Sequence, residues 1–368
     1  MELKQGIEMK KKFFRNIIFS KTPLKTHFRV GDKFQIYPID FKYAPKSKKT
    51  DHIPLVIEYW IDEEENPEVS NDWNEIKNSI SSTANQINRL NRITRLLSVV
   101  SNHRFFNYPA TEIVWGMSVP EEITNVNRDQ IDQLNSQPFI ELYYYPLIAM
   151  DMEITDFVKQ QHPASILLPH TYYYFYDPIE SKEKQITFPR TVYSIFEKYF
   201  ALDSKSRSII DTVAHLICNG IDLKMQMKSL SFLSFVSGIE TLANFEYKNQ
   251  KAGVEFDCPD CQTVKSSTIS CAKCGRPIWG VKAKFKTFLK TYVSESKGSE
   301  QKYNRIYNLR SNIVHNGLLL LGDEQHDWTH SDKADSQWKT HLETLQLSRL
   351  CLVNWLLRGP NKPAPDDL

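Results

Sequence analysis

The sequence predicts an α+β protein: a mixed α/β N-terminal domain, then an all-helical bundle with a cysteine-rich ribbon inserted into it. Three observations lead there. Up to about residue 185, short apolar and aromatic runs with partial alternation are separated by turn residues, as strands require. From about Phe188 the apolar residues recur at intervals of three and four, the period of helices with one buried face. Between two of those helical stretches, four of the six cysteines crowd into one short segment. A length of 368 residues suits two domains. The expected division is 1–185, then 186–358 with the ribbon at 254–280, and a disordered tail at 359–368.

In the first part, Phe28 to Tyr37 and Ile53 to Ile61 read as strands. The acidic stretch Asp62 to Glu68 reads as a loop. Asp72 with Glu75 three residues on forms a capping box for a long helix. Ile76, Ile80, Ile87, Leu90, Leu97 and Val100 give that helix one buried face. Strands are expected again at Ile113 to Val119 and Phe139 to Ile148. The tyrosine-rich runs Tyr143–Tyr145 and Tyr172–Tyr176 have few basic neighbours, so they read as strands rather than base-stacking surfaces.

In the second part, Asp203 or Ser204 caps a helix carrying Ile209, Ile210, Val213, Leu216 and Ile217, with Gly220 as its stop. The next helix carries Leu230, Leu233, Phe235, Val236, Ile239, Leu242 and Ala243. After the cysteines come a basic helix from Val281 to Val293 and another from Ser299 to His315, ending at Asn316-Gly317. Asp323 to Ser336 reads as a polar loop. A last helix, with Leu342, Leu345, Leu350, Leu352, Val353 and Leu356, ends at Gly359-Pro360.

Composition excludes several classes. The net charge of +2 names no partner at whole-chain level. No apolar run is long enough to span a bilayer, so no membrane partner is expected. Lys10 to Lys12 before Phe13 and Phe14 imitate a secretory leader, but Arg15 breaks the run and no cleavage site follows. Phosphate-cradling glycine loops are absent and glycine numbers only 12, so no nucleotide cofactor is expected. Cys218 and Cys351 stand alone in helical patterns, a usage that fits a reducing cytoplasm.

The cysteine segment reads Cys258-Pro-Asp-Cys261, nine residues, then Cys271-Ala-Lys-Cys274-Gly275. Each Cys-x2-Cys turn sets two thiolates on one side of a tight loop, and two such turns complete a tetrahedron around Zn²⁺. With all four positions filled by thiolate no site stays open for substrate, so the zinc is structural. A redox pair or an iron–sulfur cluster uses the same residues and stays as an alternative.

Charge is local. Between Lys248 and Arg310, thirteen basic residues stand against five acidic ones. That excess attracts phosphate. Lys282, Lys286 and Lys290 form an i, i+4 row that either binds nucleic acid or is a solvated helix face.

Within the helix ending at Gly317, Ile306, Leu309 and Ile313 face the core and Arg310 points elsewhere. His315 sits in the last turn, where it can bond the free carbonyls of the helix end. On composition alone the pair is a surface arginine and a capping histidine.

The run Ile306-Tyr307-Asn308-Leu309-Arg310-Ser311-Asn312-Ile313-Val314-His315-Asn316-Gly317 resembles the Arg-x4-6-His signature of HEPN ribonuclease domains, in particular the Apea-like HEPN branch. The helix around Phe232 to Ala243, with Glu240 in an apolar frame, is similar to the first long core helix of that branch. Leu342 to Leu357 resembles its closing helix. The resemblance covers about residues 200 to 358. It departs at Ser311, where many members have Asn, and at Asn316, which delays the glycine after the histidine.

The resemblance implies metal-independent RNA cleavage, in which the ribose 2′-hydroxyl attacks the adjacent phosphate. His315 would move the proton, Arg310 would hold the phosphate, and Ser311 or Asn312 would position either. Five residues along a helix is about 140° of rotation, so one chain does not set Arg310 beside His315. The implied solution is a homodimer with this helix at its interface. Proteins of this kind are often toxins or antiviral defence effectors, with the N-terminal domain as sensor or restraint. The competing reading is a non-catalytic dimerising module that binds nucleic acid.

Overall fold

The computed structural model describes residues 10–39, 52–63, 72–107, 152–171, 173, 185–248, 255–257, 264–266, 280–323 and 332–359. The chain divides into two compact units, Met1–Leu168 with Ser181–Arg190, and Pro169–Glu180 with Thr191–Leu368. It is α+β, with an antiparallel sheet in the first unit and mostly helices in the second.

The first unit is organised by β1 (Lys10–Ser20), the segment that imitates a leader. It pairs antiparallel along its whole length with β4 (Ile53–Glu63), from Lys10↔Glu63 to Ser20↔Ile53. Outside β4 lie β3 (Phe34–Pro38) and β2 (Phe28–Val30), joined through Gly31 at φ +49°. The other edge of β1 takes β5 (Phe105–Phe106) at one end and β6 (Met152–Ile154) at the other. A short parallel pair, β7 (Leu167–Leu168) and β8 (Phe188–Pro189), completes the strands of this unit among the described residues.

Asn16 to Ser20 are all buried, so β1 is covered on both faces there and shows no alternation in sequence. The helix α1 (Asp72–Ser101) contributes Leu90, Ile93, Leu97 and Val100 to the core, whereas Ile87 is exposed, against expectation. Glu58 of β4 is fully buried. Its carboxylate accepts from Arg15 Nε at 2.9 Å, Gln35 Nε2 at 2.6 Å, Tyr37 Oη at 2.8 Å and the Val158 N–H at 2.8 Å.

The second unit contains α2 (Val192–Ala201), α3 (Ser204–Leu223), α4 (Lys228–Glu246), α5 (Val281–Tyr292), α6 (Lys297–Asn316) and α7 (Asp332–Arg358). A small antiparallel pair, β9 (Glu255–Asp257) and β10 (Val264–Ser266), lies between α4 and α5. Asp203 caps α3, accepting from the N–H groups of Lys205 and Ser206. Gly220 does not stop α3, which runs on to Leu223. The Phe235 ring of α4 lies 2.3 Å from where a Cβ would stand, so the glycine permits close approach of two helices instead. The expected loop from Asp323 is also shorter, since α7 begins at Asp332.

A buried carboxylate ties three helices of this unit together. Glu246 of α4 accepts from Tyr292 Oη of α5 at 3.0 Å and from Trp355 Nε1 of α7 at 2.9 Å. Tyr173 is buried in a helical turn rather than a strand, and its carbonyl accepts from Gln346 of α7. The expected strands at 113–119 and 139–148, the run Tyr143–Tyr145, residues 172 and 174–176 of the second tyrosine run, and the tail beyond Gly359 lie outside the described residues. No helix of the described residues is long and apolar enough to cross a membrane.

Candidate functional site

The helix α6 is built to end where the sequence places its signature. Ser296 caps its start by accepting from the Ser299 N–H at 3.2 Å. Tyr303, Ile306 and Ile313 bury one side. Gly317 ends it in the left-handed conformation at φ +65°, and both its N–H and that of Leu318 are directed at the Asn312 carbonyl. A side chain at 317 would be strained there, which explains the glycine.

The segment after Gly317 is tied back to α4. The start of α4 lacks a local side-chain cap, and Asp323 supplies one from far along the chain. Its two carboxylate oxygens each accept at 2.7 Å, from the Lys228 and Ser229 N–H groups. The Leu320 N–H is donated to Ser229 Oγ at 2.8 Å. These bonds fix the end of α6 against the start of α4.

Arg310 leaves α6 toward Glu240 of α4. Its Nε lies 3.3 Å from Glu240 Oε1, and its Nη2 donates to Oε2 at 3.4 Å. Both distances are long, and Oε1 has no aligned donor. The pair is therefore loose, although the side chains are only 22% and 13% exposed. Burial pushes the Glu240 carboxyl above the usual carboxylate range, and the Arg310 charge opposes that push.

His315 is exposed and makes no hydrogen bond among the described residues, so the expected bond to the helix end is not present. Ser311 is half-buried. Asn312 is exposed, and its Oδ1 accepts from Asn316 Nδ2 at 3.3 Å. The fold therefore collects Arg310, Ser311, Asn312 and His315 on one helix but does not bring arginine and histidine together.

The lysine row is less open than the sequence suggests. Lys286 and Lys290 reach Glu300 of α6 at 3.1 and 3.2 Å. Hydrogen bonds from these two ammonium groups hold the Glu300 carboxyl below the usual range. Lys282 is different. It donates to Asn308 Oδ1 at 3.2 Å and lies 5.7 Å from the centre of the Tyr307 ring.

Cys258, Cys261, Cys271 and Cys274 lie outside the described residues. What is described is the frame around the first pair: β9 ends at Asp257, just before Cys258, and Asp257 stands opposite Val264 of β10. Among the described residues no group of three His, Cys, Asp or Glu is placed to hold a metal ion. Cys218 and Cys351 are buried and in no disulfide, and burial pushes the Cys351 thiol upward, so Cys351 is a poor ligand and nucleophile.

Sequence reasoning noted Glu240 without assigning it a partner, and it missed Tyr307 and Asp323. The signal for Glu240 was an isolated acid between Ile239 and Leu242 on a buried helix, which requires a cation. Asp323 had no local signal, because the N–H groups it caps are almost a hundred residues away. Comparison with protein-family models, curated proteins and solved structures finds no match to this chain.

Proposed function

We propose that this protein is a metal-independent endoribonuclease of HEPN type, acting as a homodimer, with a structural zinc ribbon. The observation that carries the reading is Arg310 held at the side of α6 by Glu240, with His315 free and exposed five residues later.

In the reaction, a ribose 2′-hydroxyl gives up its proton and attacks the neighbouring phosphorus. The P–O5′ bond breaks, leaving a 2′,3′-cyclic phosphate and a 5′-hydroxyl that takes a proton. An imidazole can both take up and release a proton at its ring nitrogens, so His315 handles these transfers. The guanidinium of Arg310 presents a planar fork to two phosphate oxygens and offsets charge that grows as the phosphorane forms. Ser311 and Asn312 lie between them on the helix and supply hydrogen bonds to substrate or imidazole.

Because the two side chains diverge by about 140°, the cleft needs a second copy of the chain. Its surface is supported by exposed apolar residues at the end of the signature: Val314, Leu318, Leu319 and Leu321. The bonds from Asp323 and Leu320 bring that strip beside the start of α4, where Met225, Met227 and Leu230 are exposed as well. Exposed apolar residues on two segments tied together in this way suit an association site.

The four cysteines suit zinc by donor chemistry, and the β9–β10 pair suits a knuckle around Cys258 and Cys261. Bound zinc would brace the ribbon between α4 and α5 and take no part in cleavage. A toxin or antiviral role fits an enzyme of this chemistry and stays at the level of the resemblance.

A second reading has its own observation. Arg310 already has a carboxylate partner, as a purely structural arginine would, and the bundle would then dimerise and bind nucleic acid without cutting it. Cleavage by Arg310→Ala and Arg310→Lys separates the two. The nuclease reading predicts products ending in cyclic phosphate from the parent and a loss of at least about a hundredfold in Arg310→Ala. It also predicts partial recovery in Arg310→Lys. Equal cleavage by all three marks a contaminating nuclease and, like no cleavage by any dimeric preparation, supports the binding module.

A further inference from the structure

The aromatic ring of Tyr307 sits one turn before Arg310 on α6 and is flanked by two cations. Lys282 Nζ lies 5.7 Å from the ring centre and Arg310 Cζ lies 5.8 Å from it. Buried Phe285 of α5 backs the ring at a centroid distance of 5.5 Å. The ring is half-buried, so it is held in place yet keeps an open part.

The hydroxyl of Tyr307 separates this residue from four other tyrosines among the described residues. Tyr37, Tyr199, Tyr292 and Tyr303 each place their hydroxyl on a carboxylate or carbonyl of the core. Tyr307 hydrogen-bonds to nothing among the described residues, although burial and the nearby Glu240 charge both push its phenol upward. Its ring is not anchored by its polar end.

Charge along α5 is uneven in the same sense. The single carboxylate of Glu300 is shared by Lys286 and Lys290, whereas Lys282 meets the neutral Asn308 and the Tyr307 ring among the described residues. Lys282 therefore keeps a positive charge beside the Tyr307 ring with no carboxylate against it among the described residues.

We infer that Lys282, Tyr307 and Arg310 form a subsite for single-stranded RNA, in which an unpaired base stacks on Tyr307 and the flanking phosphates meet the two cations. A half-exposed aromatic between basic groups suits a single strand because every base has a π-face and the backbone is anionic. A paired helix buries its bases in its own stack and offers nothing to the ring. The inference depends on the ribonuclease reading for the nature of the ligand, and it adds the residues that select an unpaired segment and position it at Arg310.

The test is equilibrium binding of a short fluorescent oligouridine and of a duplex RNA of equal length. The full chain is used with His315→Ala as parent, so that nothing is cleaved. Tyr307→Ala and Lys282→Ala should each weaken oligouridine binding about tenfold, and Tyr307→Phe should bind like the parent. Lys290→Ala should change little, because Glu300 already holds that lysine. The duplex should bind at least about tenfold more weakly than the single strand. Unchanged affinity in Tyr307→Ala, equal losses in Lys282→Ala and Lys290→Ala, or preference for duplex overturns the inference. Should Tyr307→Ala fail to fold, the surface variant Lys282→Ala and the duplex comparison still decide it. Tyr307-dependent binding without any cleavage by wild type would keep the subsite and remove the nuclease. Cleavage with unchanged KM in Tyr307→Ala would do the reverse.

Discussion

Arg310 of α6 and Glu240 of α4 form a partly buried ion pair whose contacts of 3.3 and 3.4 Å are too long to lock either group. Under the proposed nuclease reading, a phosphate arriving at Arg310 would compete with a carboxylate that burial already disfavours in its charged form. The arginine is placed without being consumed.

The first prediction concerns that carboxylate. Its folded-state pKa is raised, so the native chain holds the proton more tightly than the unfolded chain does. Glu240 therefore favours the native state below its raised value and costs stability as pH climbs through it. Glu240→Gln should flatten that part of the stability–pH curve and change stability at neutral pH by no more than about 1 kcal/mol. Thermal melts of both proteins from mildly acidic to neutral pH check this. A variant that loses stability mainly at neutral pH would show that the Arg310 contact outweighs burial.

A second prediction tests the helix crossing at Gly220. Replacing glycine by alanine inside a helix ordinarily gains up to about 1 kcal/mol. Here the new Cβ would meet the Phe235 ring at 2.3 Å, and overpacking of that kind costs about 1–3 kcal/mol. The clash should win, and Gly220→Ala should lower the denaturant midpoint. An unchanged or raised midpoint would mean that α3 and α4 separate easily.

Glu58 provides the third. It is buried under four donors, so Glu58→Ala leaves Arg15, Tyr37 and the Val158 N–H without this acceptor and takes one of two from Gln35. The expected loss is about 3–5 kcal/mol, read from urea unfolding of the full chain. A loss under about 1 kcal/mol would show that the sheet repacks around the gap.

The fourth addresses the cysteines. Elemental analysis should find one zinc per chain, lost on Cys258→Ser or Cys274→Ser. In the native, metal-loaded protein, thiol reagents should miss Cys218 and Cys351, which are buried. After strong chelation four of the six thiols should react, and the remaining two only on unfolding. Iron with a visible absorption band would replace zinc by a cluster.

These tests fall on features that the sequence exposed unevenly. The C-terminal end of α6 was legible because capping by Gly317 is local chemistry, whereas the start was placed at Ser299 and its cap, Ser296, was passed over. The strand β1 was not, because burial on both faces removes the alternation that marks a half-exposed strand. Gly220 misled for a related reason, since a glycine that ends a helix and one that admits a neighbouring ring look alike in sequence. Of the site, the Arg310–His315 spacing was visible, but its partners were not. Glu240, Lys282 and Asp323 reach α6 and α4 through tertiary contacts, and nothing local encodes those.

The account turns on whether this chain cuts RNA with its own side chains. The direct measurement is incubation of purified full-length protein with total RNA and tRNA in EDTA, beside His315→Ala. The account predicts cleavage by wild type alone, with 2′,3′-cyclic phosphate ends and no need for added metal. Cleavage by both proteins to the same extent, or cleavage only when magnesium is restored, would contradict it.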